Sequence, residues 1–196
     1  MSGAMLERRA ATARLLKDRG DALVVTGLGS TTYDVFAAGD SPLTFYLWGA
    51  MGGAAMVGLG LALAQPKRRV LVLTGDGEML MGLGSLATVG VQRPANLAVV
   101  VIDNGLYAET GMQRTHTASG VDLAGVARSC GFAHAETAGT QGELERLSRA
   151  AYESPGPFFA AVTVAPDPTS IELAPRDGPT LRNRFRVAAL GKDAER

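Results

Sequence analysis

Short apolar runs alternate with longer segments of helical periodicity along most of the chain. Residues 69–74, 97–102 and 158–164 are almost continuously apolar, which is typical of strands covered by helices on both faces. This alternation predicts an α/β fold with a parallel, doubly wound sheet and helices on both faces. The complete set of predicted elements comprises helices 5–19, 49–64, 79–91, 121–130 and 141–153, a short helix after residue 29, a loop over 103–120, and strands or extended segments 23–25, 43–48, 69–74, 97–102, 132–135 and 158–164.

The composition sets the scale of the fold. Of the 196 residues, 46% are hydrophobic and 19% are charged, which is enough for one well-buried core. We therefore expect a single domain over residues 1–196. Residues 166–196 are proline-bearing and basic, and we expect a C-terminal arm there that packs on a neighbour or on the domain's own surface.

Charge and apolar patterning narrow the possible partners and location. Lys+Arg and Asp+Glu balance at 19 each, so we expect no nucleic-acid partner. The longest apolar run, 49–64, is short and rich in glycine, which favours a buried helix and predicts no membrane association. The only cysteine, Cys130, excludes an internal disulfide framework, and the first twenty residues lack the apolar core of a signal peptide. We therefore expect a cytoplasmic protein.

Polar, glycine-bearing turns follow three of the predicted strands: "TGLGS", "GDGE" and "DNGLY". In an open parallel sheet these turns meet at the carboxyl ends of the strands, where backbone N–H groups favour a phosphate. Asp76 and Asn104 add oxygen ligands suited to Mg²⁺. Gly75 and Gly77 would let a diphosphate approach the main chain. Taken singly, the GDG and Asn-Gly motifs are also common in simple turns.

The segment "GDGEMLMGLGSLATVGVQRPANLAVVVIDNGLY" resembles the thiamine-diphosphate motif, in which GDG is followed at a distance by an asparagine. From Gly27 to Val164 the chain resembles the diphosphate-binding (PP) domain of 2-oxoacid decarboxylases. The resemblance is greatest to the phosphonopyruvate and sulfopyruvate decarboxylase group, through "LWGAMGGA", "TGDGE" and "DNGLYAETGMQ".

The resemblance implies a thiamine diphosphate and a Mg²⁺ as cofactors, with specific ligands. The side chains of Asp76 and Asn104 and the main-chain carbonyl of Leu106 would bind the metal. The residues expected along the diphosphate are Gly75, Gly77 and Glu78, together with Gly29 and Ser30 in the first turn.

The resemblance also assigns the segment "WGAMG" to the other parts of the cofactor. The carbonyl of Gly49 would accept a hydrogen bond from the 4′-amino group of the cofactor's aminopyrimidine. Met51 would be the wedge that forces the cofactor into its V shape; the alternative is that Met51 is an ordinary core methionine. Glu78 departs from the family, which commonly has Ser or Ala there. We expect the Glu78 backbone N–H to contact the cofactor, while the side chain turns away and is able to cap the helix start.

Three residues of the loop 103–120 are candidates for catalysis. Thr110 lies where related decarboxylases present a substrate-facing residue, and Glu109 is beside it, so one of the pair could handle protons. His116 could face the substrate, although a solvated loop histidine is the alternative.

The resemblance further implies a partner. Thiamine enzymes need a glutamate at the pyrimidine N1′, which the family carries on a separate pyrimidine-binding (PYR) domain. We therefore expect a β-type subunit of a hetero-oligomer whose α subunit supplies this glutamate. The expected reaction is decarboxylation of a small anionic 2-oxoacid, such as sulfopyruvate or phosphonopyruvate, to CO₂ and an aldehyde. The alternatives are an acetolactate-synthase-like carboligase subunit, an oxidative oxoacid-dehydrogenase component and a non-catalytic cofactor-binding subunit.

Overall fold

Six parallel strands form the central sheet. The computed structural model describes residues 5–166 and 170–195. The strands are β1 Leu23–Thr26, β2 Thr44–Tyr46, β3 Val70–Gly75, β4 Leu97–Asp103, β5 Leu106–Tyr107, β6 Gln113–Arg114, β7 His134–Ala138 and β8 Phe158–Thr163. The helices are α1 Arg8–Leu16, α2 Ser30–Ala37, α3 Ala54–Ala64, α4 Asp76–Met81, α5 Ser85–Gln92, α6 Leu123–Ser129, α7 Gln141–Glu153 and α8 Gly178–Leu190. The sheet order is β2-β1-β3-β4-β8-β7, and β5 pairs with β6 in a separate antiparallel ribbon.

Helices cover both faces of the sheet, as predicted. Alternate residues of β3 point to opposite sides, so Leu71 and Leu73 pack with α1, α2 and α7, and Val70 and Val72 pack with α3, α5 and α6. All four side chains are completely buried. Burial on both faces is the physical reason for the continuous apolar runs, and it confirms the doubly wound α/β fold.

The predicted helix 79–91 is wrong as a single helix. The structure divides this region into α4 and α5, which are separated by Gly82, Leu83 and Gly84. A side chain at Gly82 would lie 2.1 Å from the carbonyl oxygen of Gly52, so the loop before α3 packs directly on the backbone of this break. The sequence pattern suggested one helix because apolar residues continue across the break.

Two other predicted elements differ in detail. The glycine-rich helix begins at Ala54, later than the predicted residue 49, because Gly49, Ala50 and Gly52 have positive φ angles of 83°, 50° and 88°. The predicted loop 103–120 contains the β5–β6 ribbon, with Leu106 opposite Arg114. Other helix and strand ends shift by one to three residues, a disagreement that is common at element boundaries.

The last part of the chain lies against the sheet edge formed by β2. The ring centroids of Phe45 and Phe185 are 5.5 Å apart, and the Trp48 indole N–H donates to the Pro175 carbonyl at 2.6 Å. For the described part of the predicted arm 166–196, packing on the protein's own surface is therefore observed; residues 167–169 and 196 lie outside the described residues. Within the described ranges, no helix has the length and apolar character needed to cross a membrane.

The chain reverses its direction of winding at β1. From β1 it passes to β2 on one side and then returns to β3 on the other. In open α/β sheets, ligands bind at this kind of switch point, beyond the carboxyl ends of the strands. The turns after β1, β3 and β4, which are adjacent strands, meet there.

Candidate cofactor site

A cavity lies at the carboxyl ends of β1, β3 and β4. Most of the site residues predicted from the sequence line this cavity, although they come from separate segments of the chain. The predicted residues that line it are Gly29, Ser30, Met51, Gly75, Asp76, Gly77, Glu78, Asn104, Leu106, Glu109 and Thr110. Gly49 and His116 do not line it.

The first turn presents the start of a helix to this cavity. Gly29, with φ +69°, precedes α2, and no side chain caps the first N–H groups of that helix. Ser30 and Thr31 also line the cavity. Because unpaired N–H groups and the helix dipole both favour negative charge, this end of the cavity suits a phosphate.

Asp76 is a buried carboxylate, only 2% exposed. Its Oδ2 accepts hydrogen bonds from the hydroxyls of Thr115 at 2.5 Å and Thr117 at 3.2 Å. Burial raises the pKa of Asp76; the hydrogen bond from Thr115 opposes this shift, and the nearby Asp103 carboxylate adds to it. A bound cation would stabilise the charged form of this carboxylate.

The remaining predicted metal ligands lie in the same cavity. Asn104 Oδ1 accepts from the Leu106 N–H at 3.0 Å, which fixes the turn that follows β4. Among residues 5–166 and 170–195, no group of three or more His, Cys, Asp or Glu side chains could hold a metal. The predicted site differs from such a cluster, because its protein ligands are one carboxylate, one side-chain amide and one backbone carbonyl. A site with so few protein ligands suits a Mg²⁺ that is also bound by phosphate oxygens.

The sequence analysis missed the residues that hold Asp76 in place. Thr115 is buried and Thr117 half-buried, while His116 between them is exposed. The Thr117 hydroxyl, which carries one proton, lies within hydrogen-bonding distance of both Asp76 Oδ2, at 3.2 Å, and Asp103 Oδ1, at 2.8 Å. Both threonines therefore join the loop to the strand ends. The alternation in "RTHTAS" was the available signal, because it points two hydroxyls to one side and the imidazole to the other.

Glu78 connects three segments of the site. Its carboxylate accepts from the N–H of Leu28 and the N–H of Gly52, both at 3.3 Å, and from the Thr74 hydroxyl at 2.9 Å. It is 4% exposed, and burial raises its pKa against the effect of these hydrogen bonds. The suggestion that it caps the helix start is wrong, since no side chain caps α4. The carboxylate instead joins the first turn to the loop that carries Met51.

Tyr107 explains one of the two glycines of the GDG turn. A side chain at Gly77 would lie 2.4 Å from the Tyr107 ring, which also lines the cavity. At Gly75 the nearest atom would be the Thr31 hydroxyl at an ordinary 3.6 Å. Close packing by Tyr107 therefore requires glycine at 77, independently of any approach by a diphosphate.

Met51 lies at the rim of the cavity. It is 36% exposed, so it is not an ordinary core methionine, and it belongs to the irregular loop before α3. Gly49, in the same loop, has φ +83° but does not reach the cavity lining. The roles predicted for both residues toward a cofactor remain predictions.

The three candidate catalytic residues have different surroundings. Glu109 Oε2 accepts from the Tyr33 hydroxyl at 3.2 Å, and burial together with Glu109 raises the pKa of Tyr33. The Thr110 hydroxyl donates to the Gln113 side chain at 3.0 Å. Both residues line the cavity, whereas His116 is exposed outside it. Their catalytic roles remain predictions.

Comparison with known proteins gives the chain its family. A family model described as thiamine pyrophosphate enzyme, C-terminal TPP binding domain, matches residues 27–162. The chain belongs to this family, and the resemblance inferred from the sequence is confirmed. Thiamine pyrophosphate is the same compound as thiamine diphosphate.

Two relatives of this chain are similar to it over most of its length. The chain is 41% identical over 181 residues to sulfopyruvate decarboxylase subunit beta of Methanothermobacter thermautotrophicus, covering 92% of this chain and 94% of that one. It is 42% identical over 166 residues to phosphonopyruvate decarboxylase of Streptomyces viridochromogenes, covering 84% of this chain but 41% of that protein. The chain therefore spans nearly the whole of the first relative and less than half of the second.

A solved structure shows the same fold. A Mycobacterium smegmatis protein described as a thiamin diphosphate-dependent enzyme superposes with a TM-score of 0.70 at 24% identity. The match covers 83% of this chain and 32% of the larger one. At this identity the likeness supports the architecture alone.

Proposed function

We propose that this chain is the diphosphate-binding β subunit of a thiamine-diphosphate-dependent 2-oxoacid decarboxylase of the sulfopyruvate or phosphonopyruvate type. The observation that carries the proposal is the 41% identity to a sulfopyruvate decarboxylase β subunit over nearly the full length of both chains. The cavity supports it independently, because the expected cofactor residues from three turns line one site.

The residues of this chain would bind and orient the cofactor. Asp76 and Asn104, with the Leu106 carbonyl, would hold Mg²⁺, and the uncapped start of α2 would bind phosphate oxygens. When bound, thiamine diphosphate supplies the carbanion and the electron sink for loss of CO₂. Glu109, whose carboxylate accepts from the Tyr33 hydroxyl, would exchange a proton with the product.

A separate PYR-domain α subunit would complete the active site. Relatives named as β subunits support a partner, and the family resemblance requires the N1′ glutamate from such a chain. The outer side of α3 and the α4 end expose Met56, Leu63 and Met81 at 42%, 52% and 64%. Exposed apolar side chains of this size suit a subunit contact. We propose a cytoplasmic hetero-oligomer that acts on a small anionic 2-oxoacid.

Reconstitution tests this function. The chain and a PYR-domain subunit would be purified separately, mixed with thiamine diphosphate and Mg²⁺, and assayed for CO₂ and aldehyde from sulfopyruvate, phosphonopyruvate and pyruvate. We expect turnover only in the mixture, with the two dianionic substrates preferred over pyruvate.

Each other result contradicts a specific part of the proposal. Decarboxylation by the chain alone would remove the need for the partner. An acyloin product in place of the aldehyde would indicate a carboligase. Cofactor binding with no turnover of any 2-oxoacid in the mixture would indicate a non-catalytic subunit.

A further inference from the structure

Arg8 reaches the cofactor cavity from the first helix of the fold. It is 6% exposed and lines the cavity beside Gly29, Ser30 and Thr31 at the start of α2. No feature of the sequence marked it, because it lies in a helix well before the glycine-rich turns. A cation is therefore part of the wall of a cavity that the start of α2 also lines.

A buried carboxylate holds this cation. Asp34, on α2, is completely buried, and its Oδ2 lies 2.6 Å from Arg8 Nε. Arg9 Nε is 3.2 Å from the other oxygen of Asp34. Two guanidinium groups thus share one carboxylate, and the cluster of Arg8, Arg9 and Asp34 carries a surplus positive charge.

The two arginines point in different directions. Arg9 also donates to the Ser170 hydroxyl at 3.1 Å, is 24% exposed and does not line the cavity. Arg8 lines the cavity. A guanidinium group in the cavity wall favours an anion in the cavity.

We propose that Arg8 is a cofactor-binding residue whose guanidinium, positioned by Asp34, contacts the terminal phosphate of thiamine diphosphate and selects the diphosphate over shorter thiamine esters. The inference rests on the proposed function for the identity of the ligand. An arginine already held by a carboxylate loses little side-chain freedom on binding, so its contact with phosphate is pre-organised. The competing explanation is that Arg8 serves only to join α1 to α2.

Calorimetric binding separates the two explanations. Thiamine diphosphate and thiamine monophosphate would be titrated, with Mg²⁺, into the full chain and its complex with the PYR-domain subunit. For Arg8→Gln we expect diphosphate affinity to fall about 10–100-fold and monophosphate affinity to fall less than about threefold. Arg9→Gln removes the other partner of Asp34, and there we expect changes below about threefold for both ligands.

A parallel Arg8→Lys variant keeps the experiment decisive if Arg8→Gln does not fold. Lysine retains the charge without the bidentate geometry, so we expect a folded chain with an intermediate loss of diphosphate affinity. Equal losses for both ligands, or equal effects of the Arg8 and Arg9 variants, would overturn the proposal in favour of a purely structural ion pair.

The same titrations distinguish this inference from the proposed function. A wild-type chain and complex that bind no thiamine diphosphate would overturn both. Wild-type binding that depends on Arg8, in a complex that releases no CO₂, would contradict the decarboxylase function and leave the role of Arg8 supported.

Discussion

The two ends of the central sheet contain opposite polar chemistry. At the carboxyl ends of the strands, the buried acids Asp76 and Glu78 accept hydrogen bonds from hydroxyls and backbone N–H groups. At the amino ends, Arg69 donates to the carbonyls of Ala151, Ser154 and Ala95 at 2.8, 3.0 and 3.4 Å. Asn96 donates there in the same way to carbonyls at the end of α3.

The polarity of the helices accounts for this difference. In a doubly wound sheet each helix starts near the carboxyl end of one strand and ends near the amino end of the next. Helix starts leave N–H groups unpaired and favour acids and anions, while helix ends leave carbonyls unpaired and favour donors. The carboxyl end of the sheet is thus suited to a ligand, while at the amino end the protein's own arginine and asparagine side chains pair with helix-end carbonyls.

Removing the charge of Asp76 should have the largest effect on the carboxyl end. Asp76→Asn keeps the shape and can still accept from Thr115, but it loses a charge-assisted metal contact worth about 1.5–3 kcal/mol. We expect Mg²⁺-dependent binding of thiamine diphosphate, measured by calorimetry, to weaken about 10–100-fold. The free energy of unfolding should not fall, because burial already disfavours the charged form of this carboxyl.

Asp103→Asn is the matched control, since Asp103 contacts Thr117 but does not line the cavity. We expect the Mg²⁺-dependent affinity of this variant for thiamine diphosphate to change less than about threefold. Comparable losses for the two variants would argue against a metal at Asp76.

Removing the charge of Arg69 should affect stability at the amino end and leave function unchanged. Arg69→Met retains the apolar stem but leaves carbonyls at the end of α7 without donors, which costs about 1–3 kcal/mol. Urea denaturation should show this loss, with cofactor affinity as in the wild type. Lys67→Met, at an exposed neighbouring position, should change neither quantity. Weaker cofactor binding in Arg69→Met would mean that the two ends are coupled.

Met51→Ala tests whether the rim of the cavity acts on the cofactor. Because Met51 is partly exposed, we expect its truncation to change the free energy of unfolding by less than about 1 kcal/mol. In the reconstituted mixture we expect CO₂ release to fall about tenfold or more, since the support for the V shape is lost. Met5→Ala, an exposed methionine outside both the cavity and the proposed subunit contact, is the control. Unfolding of Met51→Ala would show a packing role instead.

His116→Gln should have the smallest effect on this chain. The imidazole is exposed outside the cavity, so we expect the affinity for thiamine diphosphate to stay within about twofold of the wild type. CO₂ release in the mixture then tests the catalytic role predicted for His116. A large fall with unchanged binding would show that His116 acts on the substrate at the subunit contact.

The sequence predicted the sheet and the cavity well because both depend on local patterns. Strands buried on both faces are apolar without interruption, and glycine-bearing turns at their ends identify the ligand side of the sheet. The predicted helix 141–153 has the observed ends, and its start is fixed by a capping box, in which the side chains of Thr140 and Glu143 each bond the other's backbone.

Several of the failures involve contacts between distant parts of the chain. The break at Gly82 exists because the Gly52 carbonyl packs on it, and Arg8 enters the cavity because Asp34 holds it. Arg69 reaches carbonyls that lie more than eighty residues later. No periodicity or turn motif encodes such pairings, so a single sequence cannot reveal them.

The start of α1 depends on the packed chain around it. Leu6 bridges to Val164 beside the end of β8, and Ala165 N–H donates to the Leu6 carbonyl at 2.8 Å. A helix of nine residues is not stable alone in water, so its amides should exchange with solvent through local opening of these contacts. A ligand held by Arg8 would oppose that opening. Slower deuterium uptake in α1 on addition of thiamine diphosphate would therefore report occupancy of a cavity built mainly from turns much later in the chain.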